Sequence, residues 1–289
     1  MKNKKAVDWL RILIFTFLAN FLFIVLKKIS PDNIYRQSLF TMCTPMVAHI
    51  LTRFITREKA TVKELLLPAN LRGNVKYYLL SLGIPFLMFT ISTVAIIICF
   101  VDDYNIKDCL IYNNVDEFIL SILINISTSL FMFYVCLGEE YGWRAYLTPK
   151  LETLMPEPLA LIVSGIIWGM WHAPLIKDGF NFGTGYKFFP YAGYAGMCFM
   201  CIFMGAFFTW VTKKTKSVYP SAIAHTAIDV IQINVFFVPQ KIMEKAEAGG
   251  QYGYNFFMVF IFGMVIVGAV FFVLLCIDSH KEKTVSVQK

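Results

Sequence analysis

The apolar residues of this chain fall into long runs, and that one feature limits what it can fold into more than any other. The runs lie at about 9–26, 35–52, 77–100, 117–137, 158–176, 190–211, 219–238 and 254–277. Each is close to the roughly 20 residues an α-helix needs to cross about 30 Å of hydrocarbon at about 1.5 Å per residue. A barrel strand needs only about ten alternating residues, so an all-β protein is excluded. Composition agrees: 57% of residues are hydrophobic and 16% are charged, against about 25% charged in soluble domains. The expectation is an all-α, polytopic membrane protein, a bundle of about eight transmembrane helices in the cell membrane.

The opening Met1-Lys2-Asn3-Lys4-Lys5 and the apolar stretch after it have the outline of a signal peptide. The stretch is too long, however, and Lys27-Lys28-Ile29-Ser30-Pro31 offers no small-residue cleavage site, so it reads as the first span. The formal charge of +7 does not indicate nucleic acid, because the lysines and arginines gather in short connections between spans. Arg53, Arg57, Lys59, Lys63, Arg72 and Lys76 follow the second span, and Lys213, Lys214 and Lys216 follow the sixth. Asp102, Asp103, Asp108 and Asp116 follow the third. By the positive-inside rule both termini, the 53–76 and 212–218 loops and the 138–157 segment face the cytoplasm. Lys27-Lys28 is the exception. The 53–76 connection reads either as an amphipathic surface helix through Val62, Leu65, Leu66 and Leu67 or as a solvated linker.

Within one integral domain, residues 1–116 hold three spans and a loop, 117–238 hold the polar motifs, and 239–289 hold the last span and tail. The seven cysteines are scattered through apolar runs, which argues against a disulfide framework. Cys198 and Cys201 form a C-x-x-C without βαβ context and read as small packing residues.

Ionisable groups inside spans cost about 2.5–3.5 kcal/mol each on insertion scales, so they face partners and mark function. Here they are Glu139, Glu140, Arg144, His172, His225 and Asp229. Glu140 and Arg144 stand i and i+4 with the acid N-terminal, the favoured order for an ion pair, while Glu139 projects about 100° away. One carboxylate is thus neutralised and the other left for chemistry. Gly138 with Gly142, and Gly165 with Gly169, are small-xxx-small pairs that admit a neighbouring helix closely. Pro174 ends or kinks the helix of His172 and leaves freed backbone beside the imidazole. His225 and Asp229 share one helix face, as a ligand pair or as a histidine with its carboxylate orienter. Asn234 lies on the opposite face. His49 has no acidic companion and reads as structural; His280, in the charged tail, reads as solvated.

In this order these residues resemble the CAAX prenyl protease and bacteriocin-processing (Abi) family of intramembrane proteases. Glu139, Glu140 and Arg144 match its E-E-x-x-x-R. Trp168 and His172 match its aromatic-x-x-x-H, with Trp for the usual Phe, and His225 and Asp229 match its H-x-x-x-N, with Asp for Asn. The resemblance covers roughly 117–238. It implies a bundle with a catalytic cavity open to the cytoplasm and to lipid, and hydrolysis of a peptide bond in a membrane-associated peptide or protein. Carried over, Glu139 is the general base assisted by His172, His225 polarises the scissile carbonyl, and Glu140 with Arg144 supports the site. Asp229 departs from the pattern, since an ionised carboxylate repels an oxyanion that an amide would stabilise. The resemblance leaves two chemistries: one without a required cofactor, which is preferred because no H-E-x-x-H is present, and one with zinc held by Glu139, His172, His225 and Asp229. Two other classes compete: a non-enzymatic immunity or scaffold protein in which the motif makes buried ion pairs, and a proton-coupled transporter. The polar residues occupy three spans without matching halves, which disfavours the transporter.

Overall fold

A computed structural model of the chain describes residues 2–29, 34–109, 115–233 and 238–287. Asn234 falls outside them. The protein is all-α. Its helices are α1 (Lys2–Ile29), α2 (Ile34–Thr41), α3 (Thr44–Ile55), α4 (Val75–Cys99), α5 (Val115–Gly142), α6 (Thr148–Glu152), α7 (Glu157–Trp171), α8 (Ala173–Ile176), α9 (Tyr191–Thr215), α10 (Tyr219–Ile233), α11 (Gln240–Glu247), α12 (Gly250–Phe260) and α13 (Phe262–Val287). Five stretches are long and apolar enough to cross a bilayer: Lys4–Ile29, Val75–Cys99, Val115–Glu152, Tyr191–Thr215 and Gly250–Lys281. The chain is therefore a multi-pass membrane protein.

The other three predicted spans are helical but shorter. The second is divided between α2 and α3, α7 has 15 residues and α10 has 15, about 22 Å each at about 1.5 Å per residue. Short helices suffice where neighbouring helices, rather than lipid, cover them. Helices α7 and α10 carry His172 at an end and His225 within, and both pack on α9.

The glycine pairs do what their spacing implies. A Cβ on Gly142 would lie 2.3 Å from Pro45 Cβ and 2.6 Å from its carbonyl carbon, and one on Gly165 would lie 2.5 Å from Ile202 Cα. Helices α3 and α9 thus approach the motif helices at backbone contact. We expect Gly142→Ala to destabilise the protein by about 1–3 kcal/mol through overpacking. Gly83→Ala in α4, where an added Cβ meets nothing within 4 Å, is expected to gain about 0.5–1 kcal/mol of helix propensity. Thermal unfolding in detergent reads both; equal shifts in the same direction would refute the close α3–α5 approach.

The 56–74 connection settles as turns, not as an amphipathic helix. Leu66 and Asn70 have positive φ (55° and 49°), which a right-handed helix does not accommodate. The segment docks instead: Leu66 O accepts from Val218 N at 3.0 Å, and Asn70 Nδ2 donates to Thr215 O and Lys216 O at 3.0 Å each. At the same end, Asp8, Arg11, Arg53, Glu58 and Lys150 form an ion-pair network. At the other end Lys27 pairs with Asp178, so the exception to the charge rule carries a local counter-ion.

That second end is also held by Asp103, which receives Lys245 Nζ at 2.7 Å, Lys241 Nζ at 3.1 Å and Tyr252 Oη at 3.1 Å. The Lys245 and Lys241 bonds hold its carboxyl at about 2, below the ordinary 3.8. A lowered folded pKa contributes stability that is present above the unfolded value and lost as pH falls through the folded one. Wild type is thus expected to lose a small increment of thermal stability between about pH 4 and pH 2 that Asp103→Asn lacks. Superimposable melting profiles for the two proteins across that window would rule out the clasp.

Candidate functional site

Helix α5 delivers Glu139 and Glu140 to the centre of the bundle, 2% and 0% exposed. It then widens into a π-helical turn, Trp143–Leu147, of the kind that often marks functional sites because it re-aims the side chains that follow. Arg144, itself buried, reaches back to Glu140 with Nε at 3.1 Å from Oε2 and Nη1 at 3.2 Å from Oε1. The guanidinium lies 4.1 Å from the Trp168 ring centroid and 5.0 Å from that of Phe208. A charge with this little water needs such company.

Glu139 takes the other direction, as the helical offset requires. Its Oε2 accepts from Trp168 Nε1 at 2.8 Å and Trp143 Nε1 at 3.2 Å, and its Oε1 has no hydrogen-bond partner among the described residues. His172 caps the end of α7, where Pro174 interrupts the helix; its Nδ1 meets Trp168 O at 3.0 Å, which leaves Nε2 outside that bond. His225 Nδ1 meets Glu140 Oε1 at 2.9 Å. Its Nε2 stands 3.8 Å from Asp229 Oδ2, beyond hydrogen-bond reach.

This amends the sequence reading on one point. The carboxylate that orients His225 is Glu140, from another helix, rather than Asp229 one turn along. Glu140 thus binds the arginine and the second histidine together. Asp229 instead lies 3.5 Å from Cys136 Sγ.

Glu139, His172, His225 and Asp229 line one cavity of about 70 Å³, with methionines and phenylalanines completing its wall. Phe180 and Asn181, from the same connection as Asp178, belong to that wall.

The four-residue zinc set fares differently. Although the four share the cavity, the metal-type donor atoms that come within 4.8 Å of one another belong, among the described residues, to Cys136, His225 and Asp229. Of the expected Glu/His/His/Asp set, His225 and Asp229 belong to this cluster, and no step is drawn through the four.

Sequence reasoning missed Trp143, Cys136 and Phe208. Trp143 and Cys136 lie four residues after and three before Glu139, on its helix face, and that spacing was the available signal. Phe208 carried none. His49 holds the motif helix structurally: Nδ1 meets Tyr141 O at 3.0 Å and Nε2 receives Arg53 Nε at 2.7 Å. Cys201 is buried and Cys198 touches Ile166 O, as packing residues do. His280 is exposed.

Residues 119–231 match the family described as type II CAAX prenyl endopeptidase Rce1-like. A relative, CAAX prenyl protease 2 of Methanococcus maripaludis, is 34% identical over 97 residues, 32% of this chain and 35% of that protein. The alignment thus spans about a third of the relative's length. The six polar residues that the bundle gathers all fall inside the matched stretch, so it is this membrane core that is similar to the CAAX proteases.

Proposed function

We propose that the protein is an intramembrane endopeptidase that hydrolyses a peptide bond of a membrane-associated peptide or protein. The observation that carries this is the convergence of Glu139, His172 and His225 on one cavity, each held by a different partner. Two indoles fix one oxygen of Glu139 and leave the other for a water molecule, the arrangement a general base requires. His172, with Nδ1 tied to backbone, presents Nε2 to the same space and assists in positioning that water. With its Nδ1–H given to Glu140, His225 carries a second proton on Nε2 and donates it to the carbonyl oxygen as negative charge develops. Arg144 pairs with Glu140 and holds it in place. Asp229, half-buried at the cavity wall, has no assigned step.

In this reading the chain's own side chains activate water and no cofactor is required. Polar groups lining a wet cavity escape much of the lipid penalty, which is how such a site persists within a bilayer. The test is cleavage of a membrane-peptide library by protein in lipid, comparing wild type with Glu139→Gln and His172→Ala. Activity confined to wild type supports the proposal; cleavage that survives Glu139→Gln refutes it.

A further inference from the structure

The geometry points to a binding site for a thiophilic divalent cation, built from Cys136 Sγ, His225 Nε2 and Asp229 Oδ2 and separate from the hydrolytic role of Glu139. The three donor atoms lie within 4.8 Å of one another. Cys136 Sγ is 3.5 Å from Asp229 Oδ2, and His225 Nε2 is 3.8 Å from the same oxygen. Tetrahedral zinc, with bonds of about 2.3 Å to sulfur, about 2.0–2.1 Å to nitrogen and about 2.0–2.2 Å to oxygen, holds its ligand atoms roughly 3.3–3.6 Å apart. The Sγ–Oδ2 separation already matches, the Nε2–Oδ2 pair needs to close by a few tenths of an ångström, and the Sγ–Nε2 pair starts within 4.8 Å.

Three further features fit a metal. Two of the ligands are one turn apart on α10 and the third lies on α5, which packs against it, so rigid elements fix the spacing. His225 gives Nδ1 to Glu140 at 2.9 Å, the carboxylate–histidine arrangement that orients a metal-binding imidazole and raises its basicity. Asp229 borders the cavity, which provides both a path of entry and a fourth position open to water, whereas Cys136 is fully buried. On binding, the Cys136 thiol gives up its proton to the cavity water and binds as thiolate. The thiolate and the Asp229 carboxylate then balance the dication.

The consequence for activity rests on the function proposed above, although the binding does not. A cation on His225 Nε2 displaces the proton that this atom offers to the carbonyl oxygen. Occupancy therefore inhibits cleavage.

The test uses the full chain in detergent or lipid, titrated with cobalt(II) as a spectroscopic probe and then with zinc. Wild type is expected to develop a thiolate-to-cobalt charge-transfer band at one equivalent, which zinc abolishes. Cys136→Ser removes the band, while Glu140→Gln keeps it and weakens affinity by about 10- to 100-fold. No band in folded wild type overturns the site, and so does a band of equal strength in Cys136→Ser, because one of the other cysteines would then be the ligand. In the cleavage assay zinc is expected to inhibit wild type, and Cys136→Ser is expected to resist it, each compared with its own metal-free rate. Wild type that shows the cobalt band yet cleaves at its full rate upholds the site and removes His225 from the hydrolytic reading.

Discussion

Replacing Glu139 with Gln is expected to lower the rate of peptide cleavage by about 10²- to 10⁴-fold, the range for loss of a positioned general base, with little effect on the folded structure. Gln is nearly isosteric, and its amide oxygen still accepts from the indole N–H groups of Trp168 and Trp143, which stand 2.8 and 3.2 Å from the carboxylate. What it lacks is a site to take the proton of the attacking water. The effect therefore belongs in kcat, with KM for the membrane peptide almost unchanged. A loss shared by kcat and the unfolding temperature would assign Glu139 a structural role. Full activity in Glu139→Gln would remove Glu139 from the general-base role.

The second large effect falls on stability. Arg144→Met leaves Glu140, 0% exposed, with only the His225 imidazole against its charge, and breaking a buried pair by removing one partner costs about 3–5 kcal/mol. The methionine replaces part of the guanidinium's packing on Trp168 and Phe208, so the loss is electrostatic more than steric. The double variant Glu140→Gln/Arg144→Met is expected to recover most of that stability, because removing both charges abolishes the unpaired one. It is not expected to recover cleavage, since a neutral amide does not hold a protonated His225 as a carboxylate does. Thermal unfolding and cleavage rate, measured on the same preparations, separate the two effects. Recovery of both in the double variant would show that Glu140 has no part in orienting His225.

Much of the site was legible because helical offsets are short-range rules. Glu140 and Arg144 pair across one turn, Glu139 turns away, and Pro174 ends the helix at His172, all as local geometry dictates. The glycine pairs announced close approach for the same reason, although not the partner. Helix length was less legible: α7 and α10 are apolar beyond their regular portions, and hydropathy does not distinguish lipid-facing residues from those buried against protein. In the 56–74 connection an amphipathic pattern was present, yet positive φ at Leu66 and Asn70 and docking onto 215–218 took precedence.

By itself, the sequence determined a helical membrane bundle, the ion pair within one turn and the residues that belong in its interior, since each follows from hydrophobic length or from contacts three and four residues apart. Only the tertiary structure decided what those residues touch across helices. It gave Glu139 the Trp168 indole from another helix, made Glu140 rather than Asp229 the partner of His225, and placed Cys136 beside Asp229. Those contacts join positions 29, 85 and 93 residues apart. No local periodicity encodes them, because they depend on how α5, α7 and α10 pack and rotate against one another.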